Sequence, residues 1–440
     1  MKLDILFVCN KPLLGNDANT IVDHIEAFEN YSSHNIWLCS NLGQLSKKLQ
    51  LEKFDAIIIH YSICLLSEVY LDRPSKERIK RFKGLKIAFI QDEYRQINKM
   101  IEELAYIDLD ILFTCFPGSE IERIYPSHNL PKVAKFNNLT GYIPERLAKV
   151  SNQTPISNRP IHVGYRGRKT PFWLGELAYE KWNIVDKWQQ YTADTMDLKV
   201  DISYHESDRI YGSKWVEFLS SCKTTLGVES GASVMDFTGD LEKNINMHQL
   251  THPNDSFYSI QNKFLLEHEG KYKLNQISPR CFEAIALKTV LVLYEGEYSG
   301  ILEPNRHFIP LKKDFSNIAK VMKLLKDDLY LQRMADRAFN EIALNPDYSY
   351  HMFVKRVDEI IMNGFLSHQK QKVKDTYTDD LFASDLIYRP LKKRIYTYGL
   401  KASQKLPARL RLFVKGCVRP IYNLQALSKK LSKIMRFEFK

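Results

Sequence analysis

Short, nearly continuous apolar runs recur along the first third of the chain, at Leu3–Asn10, Asn35–Cys39, Phe54–Tyr61, Leu85–Gln91, Leu109–Phe116 and Val133–Leu139. Apolar runs of about four to eight residues, without alternation, are what a parallel strand covered on both faces requires. Between several of them the spacing becomes helical, as over Asn19–Asn30 and Tyr94–Tyr106. This alternation predicts a doubly wound α/β domain over residues 1–150. The polar stretch Ser151–Pro160, with a proline at position 155 and another at its end, reads as a linker.

The rhythm then restarts. A strand over Ile161–Gly167, a helix around Leu174–Lys187, a strand in Leu198–His205, a helix around Lys214–Cys222 and a strand over Thr224–Ser230 follow in turn. A polar insertion, about Gly231–Gln276, interrupts them. Ile277–Gly296 supplies a further helix and strand, and Asp314–Leu344 a closing pair of helices. The fold class expected is therefore α/β, with two Rossmann-like domains, residues 1–150 and 160–345, facing one another across a cleft. The helical spacing of Tyr348–Phe365 predicts a crossover helix over 346–365.

Charge changes the picture only at the end of the chain. The whole sequence carries +11, whereas residues 366–440 carry +13, with 18 Lys or Arg against five Asp or Glu; the rest is left at −2. Residues 366–440 thus form a basic tail on a near-neutral body. In its last part Leu424, Leu427, Leu431, Ile434 and Met435 share one helical face, with Lys429, Lys430, Lys433 and Arg436 mostly elsewhere. That amphipathic pattern suits an anionic membrane surface, or a helix packed on the body. Charge alone would also fit nucleic acid, but no nucleic-acid-binding motif accompanies it, so no nucleic acid is expected. The seven cysteines are scattered without CxxC or zinc spacing, which points to reduced thiols in the cytosol. No signal peptide and no uninterrupted apolar stretch long enough to span a bilayer are read.

In open α/β sheets ligands bind outside the carboxyl ends of the strands, so the chemistry is sought in the loops there. Tyr165–Lys169, "YRGRK", follows a strand and precedes a helix, so backbone N–H groups at Gly167 and the cations Arg166 and Arg168 could hold a phosphate; a solvated basic turn is the alternative. Gly15 in "KPLLGNDANT" is a weaker candidate of the same kind, or a turn glycine. Glu229, Ser230 and Gly231 end another strand, where glycine allows a ligand to approach closely. His60 ends the run "AIIIHY" and is either a structural histidine or a cleft residue. Asp92 and Glu93 end "LKIAFIQ" similarly, although helix capping would also explain Asp92. "DLD", Asp108–Asp110, precedes its strand and reads as a connection, and no metal is called. Ser278 is a helix N-cap with Pro279 at the first helical position. Arg280 and Glu283 follow off the apolar face: a carboxylate there is favoured by the helix dipole, and could equally accept the adjacent hydroxyls of a ribose.

These residues resemble a known family. "SPRCFEAIALKTVLV" (Ser278–Val292) is similar to the donor-binding segment of GT-B glycosyltransferases, in which a Glu-Ala pair starts the helix before a strand of the second lobe. "GYRGR" with "LGELAYEK", and "LGVESGASV", resemble bacterial glycosyltransferases of polysaccharide assembly. The resemblance implies that Glu283 binds the donor ribose, that Arg166 and Arg168 hold its diphosphate, that Ser278 and Arg280 line the same site, and that His60 faces the donor sugar. Many members carry another Glu eight residues before the one matching Glu283; here Asn275 stands in that place, and Glu229 is the candidate for its role.

The function implied is transfer of a hexose from a nucleotide sugar to a hydroxyl of a saccharide or lipid-linked acceptor, in capsule or O-antigen type synthesis. It would proceed without a metal or cofactor and with retention, or with Asp92 or Glu93 as base if it inverts. The expected place is cytoplasmic, peripheral on the inner face of the cytoplasmic membrane through 366–440. The same fold would also suit a nucleotide-sugar epimerase, a polyol-phosphate transferase, or a non-catalytic nucleotide-sugar-binding scaffold.

Overall fold

The computed structural model describes residues 1–12, 19–40, 42–149, 154–193 and 198–386. Six strands form the first sheet: β1 (Asp4–Cys9), β2 (Asn35–Ser40), β3 (Ala56–Ile59), β4 (Leu85–Phe89), β5 (Ile111–Thr114) and β6 (Ala134–Asn137), in the order β2-β1-β3-β4-β5-β6. Every residue of β1, β3, β4 and β5 is buried, which is why those runs are apolar without alternation. The outer strands β2 and β6 are mostly only half-buried.

The second sheet holds β7 (Ile161–Arg166), β8 (Val200–Ser203) and β9 (Cys222–Gly227). A short ribbon follows, β10 (Ser230–Ala232) and β11 (Leu274–Gln276), before β12 (Val290–Tyr294) and β13 (Phe308–Leu311) complete the sheet in the order β13-β12-β9-β7-β8. All four neighbouring pairs run parallel. The chain goes from β7 to β8 on one side and then to β9 on the other, so β7 and β9 flank the point where the strand order reverses. Ligands bind at such a point in doubly wound sheets, outside the strand carboxyl ends.

The ribbon closes the insertion. β10 and β11 pair antiparallel, with Gly231 opposite Asn275. Gly231 has φ +109, and a Cβ there would lie 1.7 Å from the Leu274 carbonyl oxygen, so only glycine fits. Inside the insertion, helix Asp240–Thr251 follows a turn at Gly239. A buried arginine braces the start of β7: Arg159 donates to the carbonyls of Thr154, Cys222 and Leu287 and to the Thr289 hydroxyl, at 2.9–3.0 Å. These carbonyls satisfy its donors without a carboxylate partner, and burial pushes the guanidinium down to about 10.

The chain divides into two compact units, one of Met1–Asn10, Asn35–Lys86 and Lys370–Lys440, the other of Lys11–His34 and Ile87–Gln369. In the first unit, the residues after Lys370 strap across β1, β2 and β3. Lys372 Nζ donates to Asp4 (2.9 Å) and Asp55 (2.8 Å), and the Val373 N–H to Asp55 (2.7 Å). Tyr377 stacks on Phe54 at 5.0 Å, and Phe382 meets Trp37 edge-on at 4.7 Å. The start of the basic tail is therefore part of this unit's core; the amphipathic stretch beyond Leu386 lies outside the described residues, as does Gly15. Among the described residues no helix is long and apolar enough to cross a membrane.

In the second unit, helix Tyr350–Ser367 lies against helix Asn19–Tyr31. Asp358 accepts from Ser32 Oγ (2.9 Å), Ser33 N (2.6 Å) and Ser33 Oγ (2.8 Å).

Candidate functional site

The second unit gathers most of the candidate residues around the carboxyl ends of β7 and β9. The loop after β7 is not the open anion nest expected. The Gly167 N–H donates to the Ser203 carbonyl at 2.7 Å. Its glycine is needed for space instead: a Cβ would lie 2.9 Å from the Lys181 carbonyl oxygen. Arg166 is engaged in the body of the lobe. It donates to the carbonyls of Asp208, Tyr165 and Asp201, pairs with the Asp201 carboxylate at 2.8 Å, and stacks over Phe218 at 4.4 Å. Those contacts bind β7 to β8 and its loop, and leave the exposed Arg168 as the loop's arginine open to a ligand.

Helix Pro279–Ala286 starts at Ser278, with Pro279 in its first turn. Ser278 takes the N-cap backbone conformation, although its hydroxyl makes no capping bond. Arg280, exposed, lies between the rings of Tyr165 (6.0 Å) and Trp215 (5.6 Å) and donates to the Arg166 carbonyl at 2.5 Å. Glu283 is only 5% exposed and accepts from the Trp215 indole N–H at 2.9 Å. Burial raises its carboxyl above the usual glutamate range, Asp23 adding to the shift and Trp215, Arg280 and Arg146 opposing it. Asp23 and Arg146 form a two-bond pair of their own at 2.9 and 2.8 Å. Glu283 is thus a buried carboxyl held at one oxygen.

Glu229 and Asn275 meet directly. The Asn275 amide donates to Glu229 Oε2 at 2.7 Å, and the backbone N–H groups of Glu297 and Tyr298 donate to Oε1 at 3.1 and 2.9 Å. Gly296 leaves the room: a Cβ there would lie 2.8 Å from the Glu229 carboxyl carbon. Three donors on a buried carboxylate give it a structural task, tying β9, β11 and the loop after β12 together. Ser230 and Gly231 continue from it into the ribbon.

Asp92 and Glu93 part company. Glu93 is 4% exposed and takes bonds from Thr114 Oγ1 (2.5 Å), Cys115 N (2.6 Å) and the Tyr125 hydroxyl (2.6 Å). Burial pushes it up to about 7 against those three bonds, Asp92 adding slightly. It is a core knot, closed to a substrate. Asp92 is exposed and sits at φ +56, left-handed backbone that Asp tolerates at some cost. It does not cap the following helix, which begins at Ile97 with Gln96 at the cap.

Sequence reading passes over Lys181, whose ammonium donates to the Gly231 carbonyl at 2.9 Å with Asp92 and Arg280 as charged neighbours. A signal for it exists: Leu177, Ala178, Ile184, Val185 and Trp188 are buried along one face of helix Glu176–Thr192, and Lys181 falls on that face. Arg168, Lys181, Arg280 and Glu283 are the groups here able to bind a polyanion bearing hydroxyls.

His60 belongs to the first unit. It directly follows β3, beside the point where that sheet's strand order reverses, and is 0% exposed. The Ser62 N–H donates to its Nδ1 at 3.1 Å, and the Ser62 hydroxyl lies 2.9 Å from the same nitrogen. In the neutral ring that places the proton on Nε2.

No family pattern and no curated protein matches this chain. Solved structures do. An α-glucosyltransferase, in complex with UDP and a 13-mer DNA containing an HMU base, is 12% identical with a TM-score of 0.50, covering 82% of this chain and 100% of its own. An α1,3-fucosyltransferase (9% identity, TM-score 0.43, 86% and 91%) and Anabaena HepE in complex with UDP (9%, 0.40, 82% and 100%) also match. At these identities the likeness is one of fold, and the fold is α/β of the GT-B type.

Proposed function

We propose that this chain is a glycosyltransferase that moves a sugar from a nucleotide-diphosphate donor to a hydroxyl of a saccharide or lipid-linked acceptor. The observation that carries the reading is the placement of Arg168, Lys181 and Arg280 beside the carboxyl ends of the strands flanking the second sheet's switch point, with Glu283 one helical turn on from Arg280. The fold it shares with an α-glucosyltransferase solved with UDP makes uridine nucleotides the first donors to try.

In this reading Glu283 accepts the ribose hydroxyls through its second oxygen, while Arg280, Lys181 and Arg168 face the diphosphate. As the bond from the sugar's anomeric carbon to the diphosphate breaks, negative charge grows on the leaving oxygen. Fixed cations that need no reorganisation stabilise that charge, without a cofactor. The acceptor oxygen bonds to the anomeric carbon, and its proton passes to a donor phosphate oxygen if configuration is retained. If configuration inverts, Asp92 is the exposed carboxylate available as base, Glu93 being closed off.

The setting we favour is bacterial surface-polysaccharide assembly at the inner face of the cytoplasmic membrane. Residues 387–440, with their lysines and apolar positions at helical spacing, follow the strap in sequence and supply the basic amphipathic segment such a surface would hold. Sedimentation with anionic vesicles tests this setting in a chain cut after Leu386, which spares the strap; binding equal to that of the full chain rules it out. Transfer assays with labelled UDP-, GDP-, ADP- and dTDP-sugars test the function. Transfer to a hydroxyl acceptor is expected, with loss of at least a hundredfold in Glu283→Ala. Tight donor binding without turnover on every acceptor would favour the scaffold alternative.

A further inference from the structure

Glu283 and Arg280 meet on one indole. Trp215 belongs to helix Ser213–Ser221, in which Trp215, Phe218 and Leu219 are buried. Its ring stacks on Phe218 at 5.8 Å, and Phe218 is in turn covered by Arg166 at 4.4 Å. The indole N–H donates to Glu283 Oε2 at 2.9 Å, and the Arg280 guanidinium lies over the ring at 5.6 Å. Packing alone would be met by a phenylalanine. The nitrogen adds a group that donates and never accepts, so it binds the carboxylate through an oxygen lone pair. Burial raises the Glu283 carboxyl, and of the contacts opposing that rise the indole bond is the largest.

We propose that Trp215 is the positioning residue of the donor site: its N–H fixes one oxygen of Glu283 and so aims the other at the ribose hydroxyls, while its ring seats Arg280 for the diphosphate. This rests on reading the site as a nucleotide-diphosphate site, and it narrows the donor class to ribonucleotides. The free oxygen of a carboxylate fixed in this way accepts both ribose hydroxyls on its two lone pairs. A 2′-deoxy donor forfeits one of those bonds to a charged acceptor. Without the indole N–H, the Glu283 side chain regains rotamer freedom and a buried carboxyl loses its fixed donor, so ribose recognition weakens. The cation over the ring would remain, because any aromatic face in that place attracts it.

Calorimetric titration of the full chain with UDP, GDP and ADP, each beside its 2′-deoxy counterpart, tests the assignment. For the base that binds, wild type should prefer the ribonucleotide by at least about tenfold, the effect of one hydrogen bond to a charged acceptor. Trp215→Phe keeps a ring beside Arg280 and removes the N–H. It should bring that preference below about threefold while the 2′-deoxy form binds within about threefold of wild type. In a Glu283→Gln background the same substitution should leave the preference unchanged, since Trp215 acts through that carboxylate. Both forms weakened alike in Trp215→Phe would mark a packing role and overturn the proposal, as would a wild type that binds both forms equally. Either result leaves a nucleotide-diphosphate site standing. Should Trp215→Phe not fold, the native chain labelled with 15N at its five tryptophans reads the same link. The indole resonance moved by Glu283→Gln should move on adding the ribonucleotide and less than about half as far with the 2′-deoxy form; equal shifts overturn the proposal. Failure of the folded wild type to bind any of the six nucleotides overturns the functional reading itself.

Discussion

Glu229 is where a structural and a catalytic role make opposite predictions. Glu229→Gln keeps the shape and removes the charge. In the native site the carboxylate accepts three bonds, from Asn275, Glu297 N and Tyr298 N, at 2.7–3.1 Å. A hydrogen bond to a charged acceptor contributes about 1.5–3 kcal/mol, against about 1 kcal/mol for a neutral one. Glutamine can keep its oxygen on the two backbone N–H groups, while Asn275 turns its amide to accept from the new NH2. The loss is then roughly 0.5–1 kcal/mol per bond, or about 1.5–3 kcal/mol in all. Asn275→Asp should cost at least as much, by setting two carboxylates at contact. Combining the two substitutions should recover part of the sum, because the carboxylate introduced at one position would accept from the amide introduced at the other. A coupling of about 1–2 kcal/mol is expected. Urea unfolding followed by tryptophan fluorescence suits the measurement, since Trp173, Trp182, Trp188 and Trp215 all belong to the unit holding this site. Retained donor turnover in the folded Glu229→Gln protein, with lowered stability, is the outcome expected. Stability unchanged within about 0.5 kcal/mol together with a collapse of turnover would refute the reasoning and return Glu229 to the chemistry.

Other substitutions test other links. Asp358→Ala should cost about 2–4 kcal/mol in urea, because three donors of Ser32 and Ser33 lose a charged acceptor. Lys372→Met should cost about 2 kcal/mol, the figure being held down because the lysine side chain is 36% exposed. Burial works against the charged Asp4, but the bonds from Lys372, Asn35 and Trp37 outweigh it and hold the carboxyl below its usual range. Its contribution is therefore present above the unfolded value near pH 4 and lost as pH falls further, so Lys372→Met should flatten the acid limb of the stability curve. Glu93 acts with the opposite sign. Its native value near 7 lies above the unfolded one, so stability falls as pH rises from about 4.5 to 7, by on the order of 3 kcal/mol. Glu93→Gln should reduce that slope, read as urea midpoints at pH 5 and pH 8.

What the sequence shows and what it hides follow from range. The buried strands β1, β3, β4 and β5 announce themselves because both faces are covered and each run is apolar throughout. β13 escapes a sequence reading because "FIPL" is only four residues long with a proline inside it. The strap over residues 370–386 reads as tail, since its lysine charge is visible in sequence and its two aspartate partners, more than 300 positions away, are not. Among site residues, Glu283 and Arg280 are legible from their place off a helix's apolar face. Arg166 and Gly167 are legible as a loop, but not as a loop whose cation and N–H are already engaged by β8 and the residues after it. Lys181 is detectable as the lysine within an apolar stripe. The Glu229–Asn275 bond is not, because forty-five residues of insertion separate the two.

The central claim is that a nucleotide-diphosphate donor sits at the switch point of the second sheet. A crystal structure with the bound nucleotide identified by calorimetry tests it most directly. The ribose hydroxyls are expected within hydrogen-bond reach of Glu283 and the diphosphate against Arg280 and Lys181. A nucleotide bound elsewhere, with Glu283 still held only by Trp215 and Lys181 unmoved, would contradict the claim.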